Sequence, residues 1–410
     1  MPLAETDFSD AIAFSRASAA AYLNESGVLA TVPDDVAAFQ RSAGGTRLGL
    51  ILEGAATQSI ANTSDPDTLM AATRGTITAD QTTAPDGTTT AAKFAENTDN
   101  DTHYIGRNAG VSGNSGTLTN FSVFLKANGR TKFQVTLFDF SALSNFIRTT
   151  VDLTAGTATG TTGGAGEILL APAPEAYPNG WYRVTVIGVP NVGGSGVTYP
   201  RVAALSSAGA GNYAGDGNSG FFYWGFNATT AKEPRSFIPT TAAPATRAAD
   251  LASLINLDAT FGALTGTFRL RFRIPTAAPS DASRTLLHLD DGTTDNSYDI
   301  RVNAGGVTVA VVVRSGGSEV ANLTAGAASI TGQNLLAFSY TADGFRASLN
   351  GAPAVSDVSG AVPSGITRAF FGASDDAGAN SLNGILGRVR RYRAATSAVD
   401  LASMSAAWPD

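Results

Sequence analysis

The chain has no cysteine, and only two histidines and three methionines, in 410 residues. Without cysteine there are no disulfides and no thiolate metal sites, so stability must come from apolar cores, association or hard cations. Two histidines leave little scope for imidazole chemistry. A nucleophilic triad needs one beside a serine, and neither His103 nor His288 lies near a Gly-x-Ser-x-Gly elbow. Charge is scarce too: 15% of residues, with a formal net charge of −7. Residues 1–250 carry 15 basic and 21 acidic side chains and residues 251–410 carry 12 and 13, so the acidity lies in the first part. No block is basic enough for a nucleic-acid footprint, and no nucleic-acid partner is expected. The best apolar run, 307–313, is too short to cross a bilayer, so no membrane insertion is expected. The start, Met1-Pro-Leu-Ala-Glu-Thr-Asp-Phe8, lacks the charged and apolar regions of a signal peptide. The expectation is a protein made in the cytoplasm and, if it works outside, released by lysis.

Glycine is plentiful, at 45 residues, and 43% of the chain is hydrophobic. Many short strands joined by tight turns produce this balance, since glycine supplies the positive φ that turns need. The predicted class is all-β: two antiparallel β-sandwiches (jelly rolls) in tandem after a small N-terminal segment. Period-two alternation supports it. Phe121, Val123 and Leu125 alternate with Ser122, Phe124 and Lys126; Leu270, Phe272 and Ile274 alternate with Arg269, Arg271 and Arg273. Leu349-Asn-Gly-Ala352 signals a hairpin, because Asn-Gly favours a type I′ turn. Ser397 is a candidate cap for a terminal helix with Val399, Leu401, Met404 and Trp408 close to one face. The Pro-, Ala- and Thr-rich seam Arg235-Ser-Phe-Ile-Pro-Thr-Thr-Ala-Ala-Pro-Ala-Thr-Arg-Ala-Ala-Asp250 reads as a connector that continues neither ladder nor helix. Its flanking Phe237 and Ile238 predict a docked joint. The expected division is 1–60, 61–240 and 251–410.

Several phrases resemble structural and receptor-binding proteins of tailed bacteriophages and gene-transfer agents. Phe14-Ser-Arg-Ala-Ser-Ala-Ala-Ala-Tyr22 and Leu48-Gly-Leu-Ile-Leu-Glu-Gly-Ala55 resemble their N-terminal segment, although Ala56-Thr57-Gln58 stands where Arg-Thr-Asn is frequent. Pro178-Asn-Gly-Trp-Tyr-Arg-Val184, the aromatic run Phe221-Phe-Tyr-Trp-Gly-Phe226 and the seam resemble carbohydrate-binding jelly rolls in phage fibres. Leu286-Leu-His-Leu-Asp-Asp-Gly292 and Leu382-Asn-Gly-Ile-Leu-Gly-Arg-Val-Arg-Arg-Tyr392 resemble a laminin G-like, concanavalin A-type lectin domain. The resemblance implies a fibre or spike adhesin on a virion surface that binds a bacterial surface polysaccharide of capsule type without cleaving it. The N-terminal segment would dock onto other virion proteins, and a homo-oligomer would multiply weak sites. An assembly or decoration protein and a capsule depolymerase are the alternatives.

Glycoside hydrolysis needs two carboxylates about one sugar ring, ~5–5.5 Å apart for retention. No Glu-x-Asp-x-Glu strand occurs, and no catalytic residue is assigned. Sugar binding needs flat apolar platforms with hydrogen-bonding rims. Alternation sends Trp181 and Arg183 away from the core face of Tyr182, Val184 and Val186, so they form a candidate platform; the alternative is a tryptophan plugging the core edge. Tyr223, Trp224, Tyr104 and His103 are further candidates. Arg269, Arg271 and Arg273 on the first strand of the last domain, with Arg388 and Arg390 on the last strand, form a candidate stripe for a polyanion or partner subunit. This assumes the neighbouring first and last strands of concanavalin-like sandwiches; the bland reading is a solvated face paired with nearby acids. No cofactor is required. Asp290, Asp291 and Asp295, and Asp375, Asp376 and Asn380, offer oxygen ligands for a structural Ca²⁺, against ordinary turn chemistry.

Overall fold

The computed structural model describes residues 12–107, 111–255, 257 and 265–407. The chain is nearly all β, and its described strands form four seven-stranded sheets with antiparallel pairing, as the alternation predicts. In the first sandwich one sheet runs Thr157–Gly163, Ala142–Asp152, Lys132–Asp139, Val197–Ala204, His103–Arg107 and Met70–Thr73, with Val111–Asn114 also on Val197–Ala204. Its partner sheet runs Glu167–Leu170, Trp181–Val189, Thr119–Asn128, Gly220–Thr229, Ala91–Glu96 and Gly75–Thr82, with Glu175–Ala176 also on Trp181–Val189. Phe121, Val123 and Leu125 meet Phe133, Val135 and Leu137 in the core between them. Each such fully buried side chain contributes about 1.5–3 kcal/mol.

The second sandwich borrows strands from the start of the chain. Ala13–Ser15 pairs with Leu251–Ile255 at one sheet edge. Arg47–Leu52 pairs with the closing strand Gly384–Tyr392, and Phe39–Arg41 extends that sheet. Of the described part of the expected 1–60 segment, Ala13–Ser15, Phe39–Arg41 and Arg47–Leu52 are therefore strands of the second sandwich, with Leu50 and Leu52 in its core, whereas Ala20–Leu23 and Leu29–Val32 form a separate hairpin and Ala56–Gln58 pairs with the seam. The reason is apolar: Leu50 and Leu52 would be stranded in water on a free arm. Residues 1–11 lie outside the described residues.

The seam is fastened by charge as well as by Phe237 and Ile238, both buried. Arg16 donates from Nη1 to Asp250 Oδ1 at 3.0 Å and from Nη2 to the carbonyls of Pro33 and Val36. Asp250 also accepts from the Glu53 amide at 2.8 Å and from Arg247. Glu53 accepts from the Ser236 amide at 2.9 Å and its hydroxyl at 2.7 Å. Burial pushes the Glu53 carboxyl up, but Arg247, Arg235 and the Ser236 bonds outweigh it and hold it below the ordinary range. Arg235 reaches Asn383, and Glu233 meets Arg284 at 3.3 Å, which ties the seam to the second sandwich. The seam does carry one short strand, Ala245–Arg247, paired with Ala56–Gln58. Ala245–Arg247 follows Pro244 and keeps its backbone amides, so the expectation of no ladder there is too strict.

Local expectations fare variously. Asn350 and Gly351 have φ of 52° and 78°, as a type I′ turn demands. Ser397 caps the helix Ala398–Ala406 by accepting from the Asp400 amide. That helix buries Leu401 and Ser405, one turn apart, while Val399 points to solvent; Trp408 lies outside the described residues.

Candidate functional site: an arginine and aromatic face on the first sandwich

The outer face of the sheet containing Lys132–Asp139 carries two rows of side chains. In one row Phe138 sits opposite Phe146 on one neighbouring strand and Tyr199 on the other. In the next, Thr136 sits opposite Arg148 and Arg201. Residues two apart in a strand share a face, so Phe146-Ile147-Arg148 and Tyr199-Pro200-Arg201 each present a ring and a guanidinium together.

The guanidinium groups lie on rings. Arg201 is 4.6 Å from the Phe138 centroid and 4.7 Å from that of Tyr104, and Arg148 is 4.5 Å from that of Phe146. Arg148 Nε donates to Thr136 Oγ1 at 2.9 Å. Arg201 Nε is buried without a hydrogen-bond partner. No described carboxylate pairs with either arginine, whereas thirteen other contacts between a Lys or Arg and a carboxylate occur among the described residues. Burial lowers both guanidinium pKa values, and for Arg148 the like charge of Arg201 adds to it. Arginine nonetheless stays charged in proteins. The Tyr199 hydroxyl lies over Gly106, where a Cβ would stand 2.0 Å from it; only glycine leaves room for that ring. At the rim Phe140 is 60% exposed, with its ring 5.6 Å from Tyr199. Two half-buried cations, flat rings and tyrosine hydroxyls at one surface suit an anion attached to a ring with an apolar face.

Of the sequence-predicted sugar-site residues, Tyr104 alone lies on this face. Trp181 and Trp224 are 1% and 0% exposed. They do point away from the first core, together with Arg183, but the N-terminal segment and seam cover that side: Ala21, Leu23, Leu29 and Phe237 pack with them. Trp181 Nε1 donates to the Thr83 carbonyl and Trp224 Nε1 to Thr90 Oγ1. The candidate platform is thus an internal joint. Tyr223 lies in the core itself. His103 is fully buried, with both ring nitrogens facing carbonyls, of Arg74 at 2.8 Å and Tyr213 at 3.2 Å.

The arginine stripe assembles only in part. Arg269 faces Arg390 and Arg271 faces Arg388 across adjacent strands, so the first and last strands are neighbours as expected. Arg269, however, is buried and donates to the Ala407 carbonyl after the terminal helix, and Arg273 faces Ile385. The like charges of Arg390 and Arg388 join burial in lowering the Arg269 pKa. Three of the calcium candidates, Asp290, Asp291 and Asp375, serve turns and ion pairs. Asp290 takes Arg368 at 2.6 and 3.0 Å, Asp291 caps Thr293 and bonds Asn296, and Asp375 accepts from the amides of Ala377 and Ala379. The Asp295 amide is bonded to Thr293 Oγ1, and Asp376 is exposed. Among the described residues no three His, Cys, Asp or Glu side chains converge as a metal site.

Residues 252–402 match the concanavalin A-like lectin/glucanases superfamily, so the second sandwich has a lectin-type fold. That family name spans binding and cleavage. No curated protein matches the chain. Among solved structures, the CBM40 of Ruminococcus gnavus IT-sialidase bound to α2,3-sialyllactose is 21% identical. That match covers 36% of this chain and 86% of that one, with a TM-score of 0.30. Mouse laminin α1 domains LG4-5 are 10% identical over 86% of this chain and 89% of that one, with a TM-score of 0.25. A pentraxin from Limulus polyphemus is 10% identical over 35% and 70%, with a TM-score of 0.27. Similarities this remote carry no argument about ligand or activity.

Proposed function

We propose that the chain is a non-cleaving adhesin whose first sandwich grips an acidic bacterial surface polysaccharide through Arg148, Arg201, Tyr104, Phe138, Phe146 and Tyr199. The carrying observation is that Arg148 and Arg201 share one aromatic face without a carboxylate partner. Two like charges held together cost free energy that a bound carboxylate or sulfate offsets. The rings supply flat apolar area for the sugar, and the arginine forks bind the acid in a bidentate way. A fibre or spike component of a phage or gene-transfer-agent particle, released by lysis, would present many such weak sites and gain avidity from their linkage. Residues 13–58 are largely committed to sheet pairing and the seam, so their exposed outer surface is what would dock onto neighbouring virion proteins.

The test is binding of the full chain to encapsulated cells, capsule-deficient cells and purified acidic capsule, with reducing ends assayed in parallel. Capsule-dependent binding with no new reducing ends is expected. Equal binding to both cell types would overturn the adhesin reading, and released reducing ends would replace it with a depolymerase.

A further inference from the structure

A cavity of about 360 Å³ opens where the N-terminal segment, the first sandwich and the second sandwich meet. Its volume falls in the range of small-molecule sites, about 300–1,000 Å³. It is separate from the arginine and aromatic face, and none of that face's residues lines it. Its walls include Arg183, Glu175, Tyr177 and Thr331, with Ile51 and Ile274 among the apolar ones.

The polar groups there are incompletely used. Arg183 is 5% exposed; its Nε donates to Ser122 Oγ at 3.0 Å, and its Nη2 has no partner. A buried charged donor without an acceptor is costly, so a small turn of the guanidinium toward the cavity, where a ligand supplies one, is favoured. Glu175 is exposed at the cavity mouth, with Arg183 and Tyr177 beside its carboxyl. Burial raises its pKa, Arg183 and the Tyr177 hydroxyl oppose that, and Glu53 adds to it. The cavity holds basic groups (Arg183, Arg235, Arg273) and acidic ones (Glu53, Glu175) together. A ligand of either sign meets a like charge there. A neutral ligand with hydroxyl or acetamido edges and one apolar face meets none.

We infer that this junction cavity is a second carbohydrate site, which takes a neutral disaccharide-sized sugar with Arg183 donating to it and Glu175 hydrogen-bonding a hydroxyl or amide. Ile51 and Ile274 offer the apolar wall. The site bridges the two sandwiches, so occupancy would be felt at the joint.

The experiment titrates the full chain with maltose, cellobiose and N,N′-diacetylchitobiose. Calorimetry and tryptophan emission are both read, since Trp181 clusters with Tyr177, and Trp224 lies 5.0 Å from Phe237 at the cavity wall. Saturable binding of at least one sugar is expected, weakened about tenfold or more by Arg183→Met. Thr331→Trp fills the exposed rim and touches no buried network, so it separates blocked binding from misfolding; it should abolish the signal. These sugars carry no carboxylate, so the result is independent of the acidic-glycan reading. No saturable binding up to the solubility of all three sugars, or binding unchanged by Thr331→Trp, would overturn the inference.

Discussion

Two sets of buried or half-buried arginines are put to opposite uses. At the seam, Arg16, Arg247, Arg235 and Arg284 are enclosed together with Asp250, Glu53 and Glu233. On the outer face of the first sandwich, Arg148 and Arg201 rest on aromatic rings, with no described carboxylate in reach. The first arrangement is self-sufficient and joins three parts of the chain. The second is a pair of like charges packed on rings, with no carboxylate beside it among the described residues. Ion pairing within the fold accounts for the first set, and the acidic glycan proposed above would account for the second.

The sharpest contrast is in stability. Removing one partner of a buried pair leaves an uncompensated charge and costs about 3–5 kcal/mol. Asp250→Ala, which strips the carboxylate from Arg16 and Arg247, should lower the unfolding free energy read by chemical denaturation by that order. Arg201→Ala should cost under ~1 kcal/mol or stabilise slightly, because it relieves repulsion. Equal losses would erase the distinction. In binding the order reverses. Arg148→Ala and Arg201→Ala should each weaken acidic-polysaccharide binding roughly 10- to 100-fold, the range for a lost hydrogen bond to a charged group. Surface plasmon resonance reads this directly.

Acid probes the paired set. Glu96 accepts from Arg130 at 3.0 Å, Tyr213 at 2.7 Å and the Asp216 amide at 3.0 Å. Burial raises its carboxyl, but these bonds win and lower it. Asp216 is lowered by its bonds to Ser219 and Asn218, and Glu53 by Arg247 against burial. A carboxyl lowered on folding contributes stability above its unfolded pKa, about 4, that is lost as pH falls through the folded value. Melting temperature should therefore drop below about pH 4, and Glu96→Gln should shallow that drop while lowering the melting point at pH 7. An unchanged acid slope would remove Glu96 from the account. The smallest effect concerns the rim: Phe140→Ala should weaken glycan binding only a few-fold, about 0.5–1 kcal/mol, as for one ring contact at an exposed edge.

Much of the fold was legible because alternation is local. The strands around Phe121 and Leu270, the Asn350-Gly351 turn, and the outward direction of Trp181 and Arg183 all follow from period two. What covers an outward face is not local. Trp181 is buried because Ala21 and Leu29 come from about 150 residues upstream to pack against it. The proposed binding face is not legible in the sequence for a similar reason: Arg148 and Arg201 lie 53 residues apart and share a face only because Lys132–Asp139 runs between their strands. A signal did exist in the repeated aromatic-x-Arg pattern at 146–148 and 199–201. Tyr104, an aromatic on a short strand, is visible without its neighbours and is the one sequence candidate that lies on the proposed face.

The most direct measurement compares the full chain on an acidic capsular polysaccharide and on the same polymer after its carboxyls are reduced to alcohols. Stacking on the rings survives that change, and pairing with Arg148 and Arg201 does not. Binding should fall at least tenfold on the reduced polymer, and the R148A/R201A double variant should bind both polymers equally weakly. Undiminished binding to the reduced polymer by the unsubstituted chain would contradict the account.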